Sequence, residues 1–183
     1  MQIWDEEMQA KVDRHHRLRQ GKGFTTIEQP TELEQAASQL EPEAAVLLEC
    51  MSNLAANEMF SREQPVDRET VIAKILQGME GLRKQADPLV TVTNNVFEDG
   101  IAYDSATIEY IEALGRVNER LAAEADEVVE VVAGIPQRIK PGSPGAKAQN
   151  GQDRRGEKGN RHADYQMFVH SVFHVFQDSD AAV

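Results

Sequence analysis

Three short apolar runs, separated by stretches of helical length, constrain this chain more than any other feature of its sequence. Residues 44–50, 89–93 and 128–133 have strand length and are rich in aliphatic or β-branched side chains. Between the first two runs, Val71, Ile72, Ile75, Leu76 and Met79 recur at steps of one, three and four behind Asp67. That spacing predicts a helix capped by Asp67 and running to about residue 84. Between the second and third runs, Ile108, Ile111, Leu114, Val117 and Leu121 repeat the pattern behind Asp104, which predicts the longest helix. Strands joined through helices pair in parallel by right-handed crossovers. Their apolar character, with little alternation, predicts helices on both faces. The expected class is α/β, a doubly wound and mostly parallel sheet.

Shorter signals complete the pattern. Residues 5–20 read as a charged helix with Met8 and Val12 on its apolar side, and a helix-like stretch starts at Met51. Thr31 with Glu34 reads as a capping box opening a short helix to Leu40. Asp99-Gly100 marks a turn, and Gly134 and Pro136 punctuate the end of the third strand.

Composition changes at Pro141. Residues 1–140 hold 14 Lys+Arg against 26 Asp+Glu, so the net charge of −12 lies entirely there. Residues 141–162 contain no aliphatic side chain larger than Ala. Such a segment buries too little surface to offset its ordering entropy, so 141–163 reads as a flexible, disordered linker. Beyond it, Tyr165, Phe168, Val169, Val172, Phe173 and Phe176 fall at three- and four-residue steps, which predicts an amphipathic helical tail over 164–183. The domain organisation is therefore 1–140, 141–163 and 164–183.

The charge balance argues against nucleic acid as a partner, because such binding needs cations to displace phosphate counterions. No apolar run reaches the ~20 residues of a membrane span, and no signal-peptide pattern opens the chain. Its single cysteine, Cys50, excludes an intrachain disulfide. A soluble protein of a reducing compartment, the cytoplasm, is expected.

Two constellations carry potential chemistry. Ligands of parallel α/β sheets bind beyond the carboxyl ends of the strands. Glu49-Cys50, Asn94-Asn95 and Gly134 occupy those positions, although Asn94-Asn95 also suit a plain turn. The second constellation is electrostatic: Lys11, Arg14, Arg17, Arg19 and Lys22 surround His15 and His16 in an otherwise acidic domain. A polyphosphate ligand needs such a positive island. Cationic neighbours also favour the neutral, nucleophilic imidazole. A solvated helix face bearing two incidental histidines accounts for the same residues. Gly151 to Gly156 imitates a phosphate loop but is followed by Glu157 rather than Lys. His170 and His174 stand four apart, with Ser171 where a metalloprotease motif has glutamate.

In sequence order, several motifs resemble the bifunctional adenosylcobinamide kinase/adenosylcobinamide-phosphate guanylyltransferase family of cobalamin biosynthesis. Asp5-Glu6-Glu7-Met8, Arg14-His15-His16-Arg17, Phe24 and Glu28 look like its guanylylation segment. Val46-Leu47-Leu48-Glu49-Cys50 is similar to its second acidic strand. Val92-Thr93-Asn94-Asn95-Val96 with Gly100-Ile101 looks like its T-N-E-V-G-x-G-I motif. Gly115-Arg116-Val117-Asn118, Ala125-Asp126-Glu127-Val128 and Val131-Val132-Ala133-Gly134-Ile135-Pro136 resemble its C-terminal signature.

The resemblance implies phosphorylation of adenosylcobinamide by ATP or GTP, then GMP transfer from GTP onto the phosphate through a guanylyl-histidine. Carried over by position, His16 is the nucleophile. Arg17, Leu18, Arg19, Gln20, Glu28 and Glu49 contact the nucleotide, with Mg2+ accompanying it. The family fold is P-loop/RecA-like, and it opens with an interior strand and a G-G-x-x-S-G-K-S type phosphate loop. Neither text occurs in these 183 residues. The family's glutamate is Asn95 here and its following glycine is Phe97. The expectation is a domain truncated at its N-terminus, missing its first strands, with an impaired kinase step. An exposed sheet edge of that origin implies a homo-oligomer. A non-catalytic relative that at most binds nucleotide or a protein partner is the alternative.

Overall fold

The computed structural model describes residues 17, 21, 23, 25–42, 44–95 and 102–142, and the backbone of 165–171. The predicted helix over 5–20 lies outside the described residues except for Arg17, which is helical, and so does the Asp99-Gly100 turn. The elements run α1 (Leu33–Ala37), β1 (Ala44–Glu49), α2 (Met51–Phe60), α3 (Arg68–Gln85), β2 (Ala86–Asn95), α4 (Ser105–Glu124), β3 (Glu127–Val132), β4 (Ile135–Lys140) and β5 (Tyr165–Ser171).

The two long helices form where their caps and apolar stripes predict. The Asp67 carboxylate accepts from the Thr70 N–H at 3.0 Å, and Asp104 accepts from the Thr107 N–H at 2.9 Å. These bonds to the charged form hold both carboxyls below the usual aspartate value, with the Thr70 side chain first for Asp67 and the Thr107 backbone first for Asp104. Val71, Ile75, Met79 and Leu82 of α3 meet Leu114, Val117 and Leu121 of α4 in one buried cluster that also takes in Met51, Met59 and Leu89. Ile108, on the predicted stripe, is instead exposed.

The capping box does not form. Glu32 rather than Thr31 is the N-cap of α1, in a left-handed conformation with φ 56°, and its side chain makes no cap bond. The Glu32 N–H donates instead to the Glu58 carboxylate of α2 at 2.5 Å, and Lys74 of α3 donates to the same carboxylate at 2.8 Å. Glu58 is buried, so these charge-assisted bonds satisfy a group that would otherwise destabilise the core. Gly78 completes the junction, since a Cβ there would come within 2.8 Å of the Leu33 Cβ. Glycine therefore permits the close seating of α1 on α3.

The sheet order is β1-β2-β5-β3-β4. Pairings β1–β2, β2–β5 and β5–β3 are parallel and β3–β4 is antiparallel, so the sheet is mostly parallel as expected. Among the described residues, however, the long helices form one layer. α2, α3 and α4 all touch one another, and α2 and α3 touch β2. Leu89, Thr91 and Thr93 under that layer are fully buried, whereas Leu47 of β1 is 45% exposed. The topology explains this departure from a doubly wound sheet. The crossovers from β1 to β2 and from β2 to β3 advance in the same direction, and right-handed crossovers that advance together lie on one face.

Two further strands depart from the sequence reading. Ala133 (φ 50°) and Gly134 (φ 79°) form a two-residue hairpin turn with both residues left-handed, and this launches β4. Pro136 hides that strand in the sequence, yet β4 is an edge strand, where a missing N–H is tolerated. In the tail, Tyr165–Ser171 is a strand and not the start of the expected C-terminal helix. The segment is rich in aromatic and β-branched types, and a strand there satisfies its backbone against two neighbours at once, which outweighs local helical spacing. β5 thus holds an interior position of the sheet, between β2 and β3. Residues 172–183 and most of the expected linker lie outside the described residues.

Candidate functional site

The carboxyl edge of the parallel strands is built around Ser52. β1 ends at Glu49, which is exposed, and the next residue, Cys50, is the extended N-cap of α2. The first turn of α2 places Ser52, 6% exposed, between the ends of β1 and β2. The Cys50 Sγ lies 3.1 Å from the Ser52 Oγ, and the Asn94 Nδ2 donates to that Oγ at 2.9 Å. From α4, the Tyr110 hydroxyl donates to the Ser52 carbonyl at 3.3 Å. One residue back on β2, the Thr93 hydroxyl donates to the Asn118 Oδ1 of α4 at 2.7 Å. Asn94 and Asn95 are therefore strand residues and not a plain turn.

This network ties β2, α2 and α4 together at one edge. Burial pushes the Tyr110 hydroxyl up to about 12, with a smaller contribution from the neighbouring Cys50. A neutral tyrosine at physiological pH keeps its proton for the bond to Ser52. The partners of Ser52 are protein groups, so the cluster fixes the shape of the edge and leaves Glu49 as its exposed charged side chain. The far side of the edge is the Ala133-Gly134 turn after β3, and β5 lies between, with Ser171 in register with both Asn95 and Val132.

The sequence-predicted residues divide into two groups. Glu49, Asn94 and Asn95 are brought together at this edge. Glu28 is exposed in the extended segment leading to α1, and Arg17 is exposed. His16, Leu18, Arg19 and Gln20 lie outside the described residues. The segment that carries Glu28 is anchored where it enters α1, by the Glu32–Glu58–Lys74 junction. Sequence reasoning missed Ser52, Tyr110 and Glu58, which no local pattern marks. Asn118 had a signal, because it closes the Gly115-Arg116-Val117-Asn118 motif. Among the described residues, no group of three or more His, Cys, Asp or Glu is placed to hold a metal ion. No helix among them is long and apolar enough to cross a membrane.

Comparison with known proteins agrees with the motif order. The family model described as CobU, cobinamide kinase / cobinamide phosphate guanyltransferase, matches residues 1–139. The bifunctional adenosylcobalamin biosynthesis protein CobU of Escherichia coli is 30% identical over 149 residues, spanning 76% of this chain and 82% of the relative. Its namesake from Salmonella typhimurium is 30% identical over 154 residues, with the same coverage of 76% and 82%. With an α/β fold whose strand ends carry the family's motifs in order, the chain belongs to the cobinamide kinase/cobinamide phosphate guanyltransferase family of enzymes in cobalamin biosynthesis.

Proposed function

We propose that this chain transfers GMP from GTP to adenosylcobinamide phosphate through a guanylyl-histidine, and that His16 is the nucleophile. The supporting observation is the family match over residues 1–139, which takes in the cationic island around His16 together with the Glu49 strand end. In the first step an imidazole nitrogen of His16 attacks the α-phosphorus of GTP. A P–N bond forms, the bond to the bridging oxygen breaks, and pyrophosphate leaves with the electron pair. In the second step a phosphate oxygen of adenosylcobinamide phosphate attacks the same phosphorus, the P–N bond breaks, and His16 is restored. Arg17 and Arg19 give charge-assisted hydrogen bonds to the non-bridging oxygens as charge builds. Leu18, Gln20, Glu28 and Glu49 contact the nucleotide.

Mg2+ usually travels with nucleoside triphosphates on their phosphate oxygens. Among the described residues, no group of three or more His, Cys, Asp or Glu forms a cage for a resident cation. The kinase half-reaction takes its phosphoryl group from ATP or GTP. A cytoplasmic site of action follows from these substrates.

Incubation with GTP labelled at the α-phosphate tests the reading. Label should stay on the denatured protein, survive alkali and be lost in acid, as a phosphoramidate is, and His16→Ala should abolish it. Label retained by His16→Ala would overturn the nucleophile assignment. A wild-type chain that binds GTP but takes no label would instead favour the non-catalytic reading, which the Asn95 and Phe97 departures also suggest.

A further inference from the structure

We infer that the gap between β2 and β3 is a strand-acceptor slot, filled by residues 165–171 of the same chain, and that seating this strand assembles the carboxyl edge that takes the nucleotide. The second half of this inference rests on the guanylyl-transfer reading above; the first half does not.

The pairing pattern carries the argument. β2 pairs with β1 and β5, and β3 pairs with β4 and β5. β2 and β3 share no ladder. Remove β5 and the sheet becomes two separate two-stranded pieces, each presenting an interior edge of unpaired N–H and C=O groups. On β2 that edge includes the backbone of Leu89, Thr91 and Thr93, whose side chains are fully buried. Such groups must be paired or solvated. A gap of two inter-strand spacings, about 10 Å, accepts one extended chain and nothing thicker.

The route of the chain shows how the slot is filled. β4 runs antiparallel to β3 and returns the chain to the amino edge of the sheet at Lys140. β5 starts at that same edge, with Tyr165 in register with Leu89 and Gln166 in register with Glu127. The end of β4 is therefore two strand positions from the start of β5, about 10 Å away. Residues 143–164 have a covalent reach of roughly 70 Å when extended. The connection exceeds what the path requires, so β5 can enter or leave the slot while β4 stays paired. β5 is therefore joined to β4 by more chain than its path needs, unlike β1 to β4, whose connections contain helices or are a tight turn.

Seating has a consequence at the other end of the strand. Ser171 registers with both Asn95 and Val132, so the carboxyl ends of β2, β5 and β3 are flush. Ligands of parallel sheets rest on the ends of the interior strands. With β5 unseated, the middle of that surface is missing and the Asn94-Asn95 end is uncoupled from the Ala133-Gly134 turn.

Two variants of the full chain test this. In a Cys50→Ala background, Val90→Cys with Gln166→Cys places cysteines at register partners, within the Cα separation a disulfide accepts. Mild oxidation should give an intramolecular disulfide in a monomer; no disulfide, or a disulfide-linked dimer, overturns seating by the same chain. Val169→Pro removes a ladder donor from β5. Amides of β2 and β3 should then exchange on the order of a hundredfold faster, while those of α3 and α4 hold their wild-type protection. Apparent GTP affinity should fall at least about tenfold, because only the seated fraction binds. Unchanged exchange in β2 and β3 overturns the slot, and loss of helix protection with it overturns the separable insert. Wild-type GTP affinity in Val169→Pro overturns assembly of the edge. If the wild-type protein has no GTP affinity while the disulfide and local exchange response stand, the guanylyl-transfer reading and the edge-assembly half fall and the slot remains.

Discussion

The two ends of the sheet are held in different ways. At the β1–β2 end, side chains do the holding: Leu89 is fully buried against Met51, Met59 and the α3–α4 cluster, Glu58 cross-links the helices to one another, and Ser52 ties α2 to the end of β2. At the β3–β4 end, the outer strand has no apolar burial and relies mainly on backbone geometry. The outer strand is exposed along nearly its whole length, with Ile135 at 65% and Ile139 at 61%, and its place is set by the Ala133-Gly134 turn and the ladder to β3, with polar support from Arg138 on Glu127 and from Lys140 on the Ala122 and Ala123 carbonyls. The contrast shows that burial and hydrogen-bonded geometry are interchangeable ways of fixing a strand, with different vulnerabilities.

Substitutions can break or sharpen that contrast. The largest effect is expected for Leu89→Ala, which should lower unfolding free energy by about 2–5 kcal/mol in urea titrations, the usual cost of a buried cavity. A loss below about 1 kcal/mol would mean that the covered end relies on side-chain packing no more than the exposed one does. Next comes pH. Tyr110 is pushed up to about 12 in the folded protein, against about 10 for an unperturbed tyrosine. Its contribution is therefore complete below pH 10 and is lost as pH rises from about 10 to 12. Thermal unfolding followed across that window should show a stability decline that Tyr110→Phe flattens; an identical slope in both proteins would remove Tyr110 as its source. The smallest effect is expected for Ile139→Ser on the exposed strand, within about 0.5 kcal/mol of wild type. A larger loss would reveal a side-chain role in the backbone-held end.

What was legible in the sequence follows the range of the forces involved. α3 and α4 could be read because Asp67 and Asp104 cap their own helices three residues away. α1 could be read as a short helix, but its cap could not, because the acceptor at its start is Glu58, in another helix. β1, β2 and β3 were visible as apolar runs. β4 was hidden by Pro136, which only an edge position excuses. β5 carries helical spacing, and only the two strand edges on either side of it make an extended backbone the better solution. The site divides in the same way. Glu49 and Asn94-Asn95 could be placed at the carboxyl edge from the ends of their apolar runs, whereas Ser52 and Tyr110 become relevant only when α2 and α4 close over the strand ends.

The β3–β4 hairpin has one more consequence. By turning the chain back, it delivers the connection to β5 at the amino edge of the sheet, the side opposite Glu49 and the strand ends. Lengthening a loop adds only about 0.6 kcal/mol of closure entropy per doubling. The stretch between Lys140 and Tyr165 is therefore the part of this molecule where insertion or fusion can change the length of the protein without altering the strand ends on the opposite side of the sheet.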